Sequence, residues 1–155
     1  MNGQLVNQRS EFDCIGASLA MFFDVDYDVI LNLPFMSDYK FDRPISDWEE
    51  NSIFNHFKAR CIYFPAWLLP PGKTKAIVSS PSLNQPGKDH AIFYDGKGFL
   101  DPQHGRKDKK FYNYDSSPNV NALTLDLNDL KSVKCVSDHL WTISHKMSEA
   151  LKGVK

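Results

Sequence analysis

The chain has 155 residues, 42% of them hydrophobic and 13% aromatic, enough to bury a core in one domain without covalent staples. Its formal net charge of −1 at pH 7 supplies no global pull toward nucleic acid or an anionic membrane. The three cysteines, Cys14, Cys61 and Cys135, are odd in number, far apart and without a CxxC, which argues against a disulfide framework or a zinc site and for a reducing compartment.

The first residues, Met1-Asn2-Gly3-Gln4-Leu5-Val6, carry neither a basic region nor a long apolar core, so no signal peptide is expected. No apolar run approaches membrane-spanning length. The expectation is a cytoplasmic protein of a bacterium, or of a virus that infects one, built as a single domain over 1–155 with no cofactor and no metal. Residues 1–7 read as an extended arm leading into a polar loop, Gln8-Arg9-Ser10-Glu11-Phe12-Asp13. That loop runs into Cys14, and the small and apolar residues from Cys14 to Phe23 predict a buried helix. Cys14 falls in its first turn, where unpaired N–H groups and the positive dipole end favour a thiolate. Gln8, six positions upstream, is close enough to aim a carboxamide N–H at whatever the sulfur attacks.

The acidic run Asp24-Val25-Asp26-Tyr27-Asp28 lacks the Gly and terminal Glu of a calcium loop. It reads as a solvated turn, with Asp26 capping a short helix over Tyr27–Leu33 that Pro34 stops. Ser46 and Glu49 form a capping box for a third helix, whose apolar stripe of Trp48, Ile53, Phe54 and Phe57 runs to about Ala59. His56 on that helix reads as an ordinary surface or interface histidine. Cys61–Phe64 is a strand, with Cys61 serving as a small hydrophobe. The proline-punctuated segment Pro65–Gly72 is a loop packed on the core or a wall of a substrate groove. Lys75–Ser80 is a central strand, and Pro81–Lys88 a loop that delivers the chain to His90 and is placed to cover a site there.

His90 opens an apolar strand, Asp95–Gly98 is a hairpin turn, and Phe99-Leu100 starts the return strand that Asp101 ends. Pairing in that hairpin brings imidazole and carboxylate to the same open end. The basic segment His104–Lys110, without aromatic interleaving or a phosphate cradle, reads as a solvated hairpin tip. Beyond it, Phe111–Tyr114 alternates like an edge strand and Ala122–Leu125 reads as another strand. Asp126 or Asn128 caps a short turn through Lys131. Val133–Val136 reads as a last strand holding a structural Cys135, and Trp141–Leu151 as loosely helical.

Gln8, the Asp13-Cys14 pair with Ala17, His90 and Asp101-Pro102 resemble, in order, the pattern of the papain-like cysteine peptidases, nearest the bacterial branch of double-glycine leader (bacteriocin-processing) peptidases. Ile15 stands where that branch often has Gly, and Ala91 follows the His where it often has Trp or Val. Cell-wall endopeptidases of the NlpC kind share a Cys helix and a His hairpin. They usually place a second His where Asp101 stands and have no Gln at the Gln8 position.

The resemblance implies an α+β papain-like fold, a helix-rich half carrying Cys14 packed on an antiparallel sheet carrying His90 and Asp101. It implies a hydrolase in which Cys14 is the nucleophile, His90 the base, Asp101 the residue fixing the ring, and Gln8 with the Cys14 N–H the oxyanion donors. The partner is then a peptide or protein tail, not nucleic acid or membrane. A papain-like module that binds a peptide without cutting it, such as a viral or host-directed inhibitor, and a cell-wall amide hydrolase are the alternatives. The latter needs export or a wall-binding segment, and neither is visible.

Overall fold

The structure, a computed structural model, describes residues 4–65, 74–116 and 118–154. It is α+β: helix α1 (Cys14–Phe23), helix α2 (Tyr27–Leu31), a 3₁₀ turn (Pro34–Met36) and helix α3 (Asp47–His56) precede a sheet of β1 (Cys61–Pro65), β2 (Ala76–Pro81), β3 (Asp89–Tyr94), β4 (Phe99–Leu100) and β5 (Ala122–Asp126). Helix α4 (Leu130–Lys152) follows. The sheet is antiparallel throughout, in the order β1-β5-β2-β3-β4.

Apolar residues surround α1 on nearly every side, so it is a core helix, and its residues from Gly16 to Phe22 are buried. It lies on one face of the sheet, where Leu19, Ala20 and Phe22 share a cluster with Ile77, Ala91 and Phe93. It ends at Asp24, in the left-handed region at φ 54°. Asp26 precedes α2 as expected but makes no side-chain capping bond, and α2 stops at Leu31, two residues short of the predicted end. The 3₁₀ turn that begins at Pro34 takes up the chain there.

The capping box of α3 is formed. Ser46 Oγ accepts from the Glu49 N–H at 3.2 Å and Glu49 Oε2 accepts from the Ser46 N–H at 2.8 Å. Arg43 adds two bonds to the same carboxylate, at 2.7 and 2.8 Å. The guanidinium bonds outweigh the burial that opposes them and, with Ser46, hold Glu49 down at about 2. His56, near the end of this helix, is exposed and meets the Phe57 ring edge-on.

The opposite sheet face carries a second cluster of Ala76, Val78, Ile92, Leu123 and Leu125, covered in part by Cys135 and Val136. Those two residues overturn a prediction, since Val133–Val136 is no strand but the second turn of α4. Its valines favour a strand locally. The apolar positions Val133, Val136, Leu140, Ile143 and Met147 recur at alternating three- and four-residue spacing, however, and that longer pattern is helical. Asp126 does hold the short turn ahead of it, its Oδ1 accepting the Asn128 N–H at 2.9 Å, but the chain then runs into α4 and Asp129 caps that helix, accepting from the Lys131 N–H at 3.0 Å. Beyond its first turns α4 leaves the sheet, and Leu140, Trp141, Met147 and Leu151 are exposed.

Phe111–Tyr114 is likewise not a strand. Its backbone is held by isolated bonds, Tyr112 N–H to Asp101 Oδ2 at 2.9 Å and Phe99 N–H to the Tyr114 carbonyl at 2.8 Å. The basic segment after Asp101 is not a solvated tip either. The Gly105 N–H donates to Asn7 Oδ1 at 3.0 Å, Arg106 donates to the Ser10 carbonyl, and Lys109 pairs with Glu11, so this segment clamps the arm ahead of α1. The loop after β2 docks there too, through Gln85 to Glu11 at 3.1 Å and Asn84 to Lys110 at 2.7 Å. A groove wall in Pro65–Gly72 falls, past Pro65, outside the described residues.

Candidate active site

Three of the four residues singled out in the sequence meet where α1, β3 and the end of β4 converge. His90 lies near the start of β3 and is 6% exposed; Asp101 directly follows β4 and is 2% exposed. The β3–β4 register pairs Phe93 with Leu100, so Asp101 lies diagonal to His90, on the same face. His90 Nε2 and Asp101 Oδ1 are 2.6 Å apart. Asp101 is held from behind, as Oδ1 also accepts the Gln103 N–H at 2.8 Å and Oδ2 the Tyr112 N–H. The turn between the strands is built as predicted. Asp95 Oδ1 accepts the N–H groups of Lys97 and Gly98, and Gly96 supplies the positive φ of 94°.

Half-buried Cys14 stands beside the His90 ring in the first turn of α1. Burial works to lower the basicity of His90, but bonding to Asp101 and to Cys14, with the charges of both, outweighs it and raises the imidazole to about 9. With Nε2 taken by Asp101, Nδ1 is the nitrogen left for the sulfur. The other cysteines are set apart from this chemistry. Cys61 is pushed up to about 12 by burial and by the carboxylates of Asp126 and Glu50, and Cys135 is raised chiefly by burial.

Gln8 is buried at 3% exposure beside this cluster, and its N–H donates to the Pro102 carbonyl at 3.0 Å, tying it to the residue after Asp101. Its carboxamide Nε2 donates to the Ser10 carbonyl at 2.7 Å, which commits one amide hydrogen and leaves the second. Gln8 Oε1 has no partner among the described residues.

A cleft of about 300 Å³ opens at the sulfur. Cys14, Ile15, His90 and Ala91 form its inner end, Ile77 and Ala122 line it on the sheet, and Asp47, Glu50 and Asp89 bring carboxylates to it. A second hollow between α3 and β1, lined by Asn51 and Phe54, shares Asp47, Glu50 and Tyr63 with it. The loop over Pro81–Lys88 contributes none of the lining, so it does not cover this cleft. The cleft walls were not legible in the sequence, because Asp47, Glu50 and Tyr63 carry no local mark of a site and are assembled only by tertiary packing. Among the described residues no cluster of three His, Cys, Asp or Glu is arranged to hold a metal ion, and no helix is long and apolar enough to cross a membrane.

A thiol beside an imidazole, an imidazole oriented by a buried carboxylate, and uncapped helix N–H groups next to the sulfur are together the parts of an acyl-transfer centre. No family model, curated protein or solved structure matches the chain.

Proposed function

We propose that the protein is a papain-like cysteine hydrolase that cleaves an amide bond in a peptide or protein tail. The observation that carries this reading is the Cys14–His90–Asp101 line, assembled from three separate stretches of chain with its carboxylate already fixed by two backbone N–H groups. A packing role for Cys14 accounts for none of that alignment. The cleft at the sulfur and the hollow between α3 and β1 share Asp47, Glu50 and Tyr63 in their walls, which supports a substrate that runs across both.

In this mechanism the Cys14 proton rests on His90, which the carboxylate of Asp101 and the sulfur hold as an imidazolium, and the thiolate of the pair bonds to the substrate carbonyl carbon. The carbonyl oxygen takes the negative charge, facing the Cys14 N–H and the remaining amide hydrogen of Gln8. The C–N bond then breaks and the amine leaves with the proton from His90. Water, deprotonated by His90, attacks the thioester; the C–S bond breaks, the acid departs and the thiol is restored. Asp101 keeps the ring in the tautomer and orientation that both halves need. Loss of Gln8 as an oxyanion donor should lower turnover by roughly 10²–10³.

The test is cleavage of a proteome-derived peptide library, read by mass spectrometry, with Cys14→Ala in parallel. New termini made by the wild type and absent with Cys14→Ala support the proposal. A wild type that generates none, while peptides still bind, reduces the site to a binding module.

A further inference from the structure

Asp13 occupies the N-cap position of α1 yet does not cap the helix. An Asp there ordinarily accepts from the second or third helical N–H. This one is fully buried and turns backward, its Oδ1 and Oδ2 accepting from the Arg9 N–H at 3.1 and 2.8 Å and its Oδ1 from the Ser10 N–H at 2.8 Å. Ser10 Oγ donates to it at 3.2 Å and the Tyr27 hydroxyl at 3.0 Å. Burial, and then the charge of Asp13, raise the Tyr27 hydroxyl far above its ordinary range, so it remains a donor. The approach of Tyr27 depends on Gly16, where a side chain would run into the hydroxyl. Arg9 closes the outside, its guanidinium over the Tyr27 ring and 2.7 Å from Asp28.

Two consequences meet at the sulfur. The turn that follows Gln8 is gripped through its backbone, and Gln8 in turn bonds the carbonyl of Ser10, a gripped residue. The first N–H groups of α1, which a capping carboxylate would occupy with negative charge, stay uncapped beside Cys14. Resting on the hydrolase reading above, we infer that Asp13 is a positioning residue of the oxyanion site: by binding the Arg9–Ser10 turn and Tyr27 instead of capping α1, it fixes Gln8 and leaves the N–H groups at the start of the Cys14 helix open to the charge that develops on the substrate oxygen.

The test separates attack on a carbonyl from attack on a saturated carbon. With p-nitrophenyl acetate the sulfur bonds the acetyl carbon through an oxyanion, the C–O bond breaks and p-nitrophenolate leaves. With iodoacetamide the sulfur displaces iodide and no oxyanion forms. Asp13→Asn keeps the shape but turns an N–H₂ toward donors, and should slow acylation roughly ten- to a hundredfold while alkylation of Cys14 changes less than about twofold. Tyr27→Phe, which removes one donor and keeps the ring, should show the same selective loss at smaller size and serves if Asp13→Asn does not fold. Parallel loss of both reactions in a folded variant assigns Asp13 a purely structural role, and unchanged acylation in both variants likewise overturns the inference. A wild type that is not acylated at Cys14 at all overturns the hydrolase reading and this inference with it.

Discussion

The Ser18 hydroxyl of α1 donates to the carbonyl of Ala91 on β3, buried, at 3.2 Å. This one bond joins the helix that presents Cys14 to the residue after His90, one turn from the sulfur on one side and one residue from the ring on the other. A hydrogen bond has a defined direction and length, so it ties helix to strand at one point, whereas the apolar burial around it is non-directional.

Ser18→Ala should therefore cost about 1–2 kcal/mol of stability, for a lost buried bond, measured as a lower urea midpoint. It should also slow Cys14 alkylation, because the helix can then drift on the sheet. Unchanged alkylation in Ser18→Ala would show that packing alone sets the thiol–imidazole spacing.

Asp101 has three acceptor tasks, His90 and two backbone N–H groups. Asp101→Ala abandons all three and should lower turnover by roughly 10²–10⁴. Asp101→Asn retains one carbonyl oxygen for the ring and should fall between. In both, removal of the charge and bond that raise His90 moves its proton loss to lower pH, so the alkaline limb of the pH–rate profile shifts down. A limb that stays in place would mean that Asp101 does not set the basicity of His90.

The cysteines should react in a fixed order. Burial raises Cys61 and Cys135, whereas Cys14 has His90 beside it to take its proton. One equivalent of iodoacetamide at about pH 7 should label Cys14 almost alone in peptide mapping, and His90→Ala should abolish the preference. Labelling of Cys61 first would remove the basis for a reactive Cys14.

The residues that proved legible in sequence are those whose partners are near in the chain or whose pattern repeats. The apolar span after Cys14 gave α1, Ser46 with Glu49 gave the start of α3, and Asp95–Gly98 gave the turn that brings Asp101 back toward His90. The strand expected at Val133–Val136 is instead helix because two β-branched valines in four residues are a weaker signal than the three- and four-residue apolar spacing that continues to Met147. The clamp of residues 104–109 on the arm at Asn7–Glu11 spans close to a hundred positions and leaves no local mark, so the basic run looked solvated. Asp13 was visible as a residue type next to Cys14, but its backward turn depends on Tyr27, fourteen positions on, and on the space left by Gly16.

The raised basicity of His90 also sets a pH signature for folding. In the unfolded chain the ring titrates near 6.5, and in the folded protein near 9. The folded state thus binds the proton more tightly, so its contribution is complete below about 6.5 and is lost as pH rises through about 9. The size is at most about 3–4 kcal/mol, from the 1.36 kcal/mol that each pH unit of difference represents. Cys61, an acid raised in the folded state, also costs stability as the unfolded thiol ionises near 9, so the His90 part must be read by difference. His90→Gln should accordingly show a flatter decline in urea-measured stability between pH 6.5 and 9 than the wild type, with the two curves converging at the alkaline end apart from the constant effect of the substitution. Parallel curves across that window would mean that His90 is not held protonated by Asp101 and Cys14 in the folded protein.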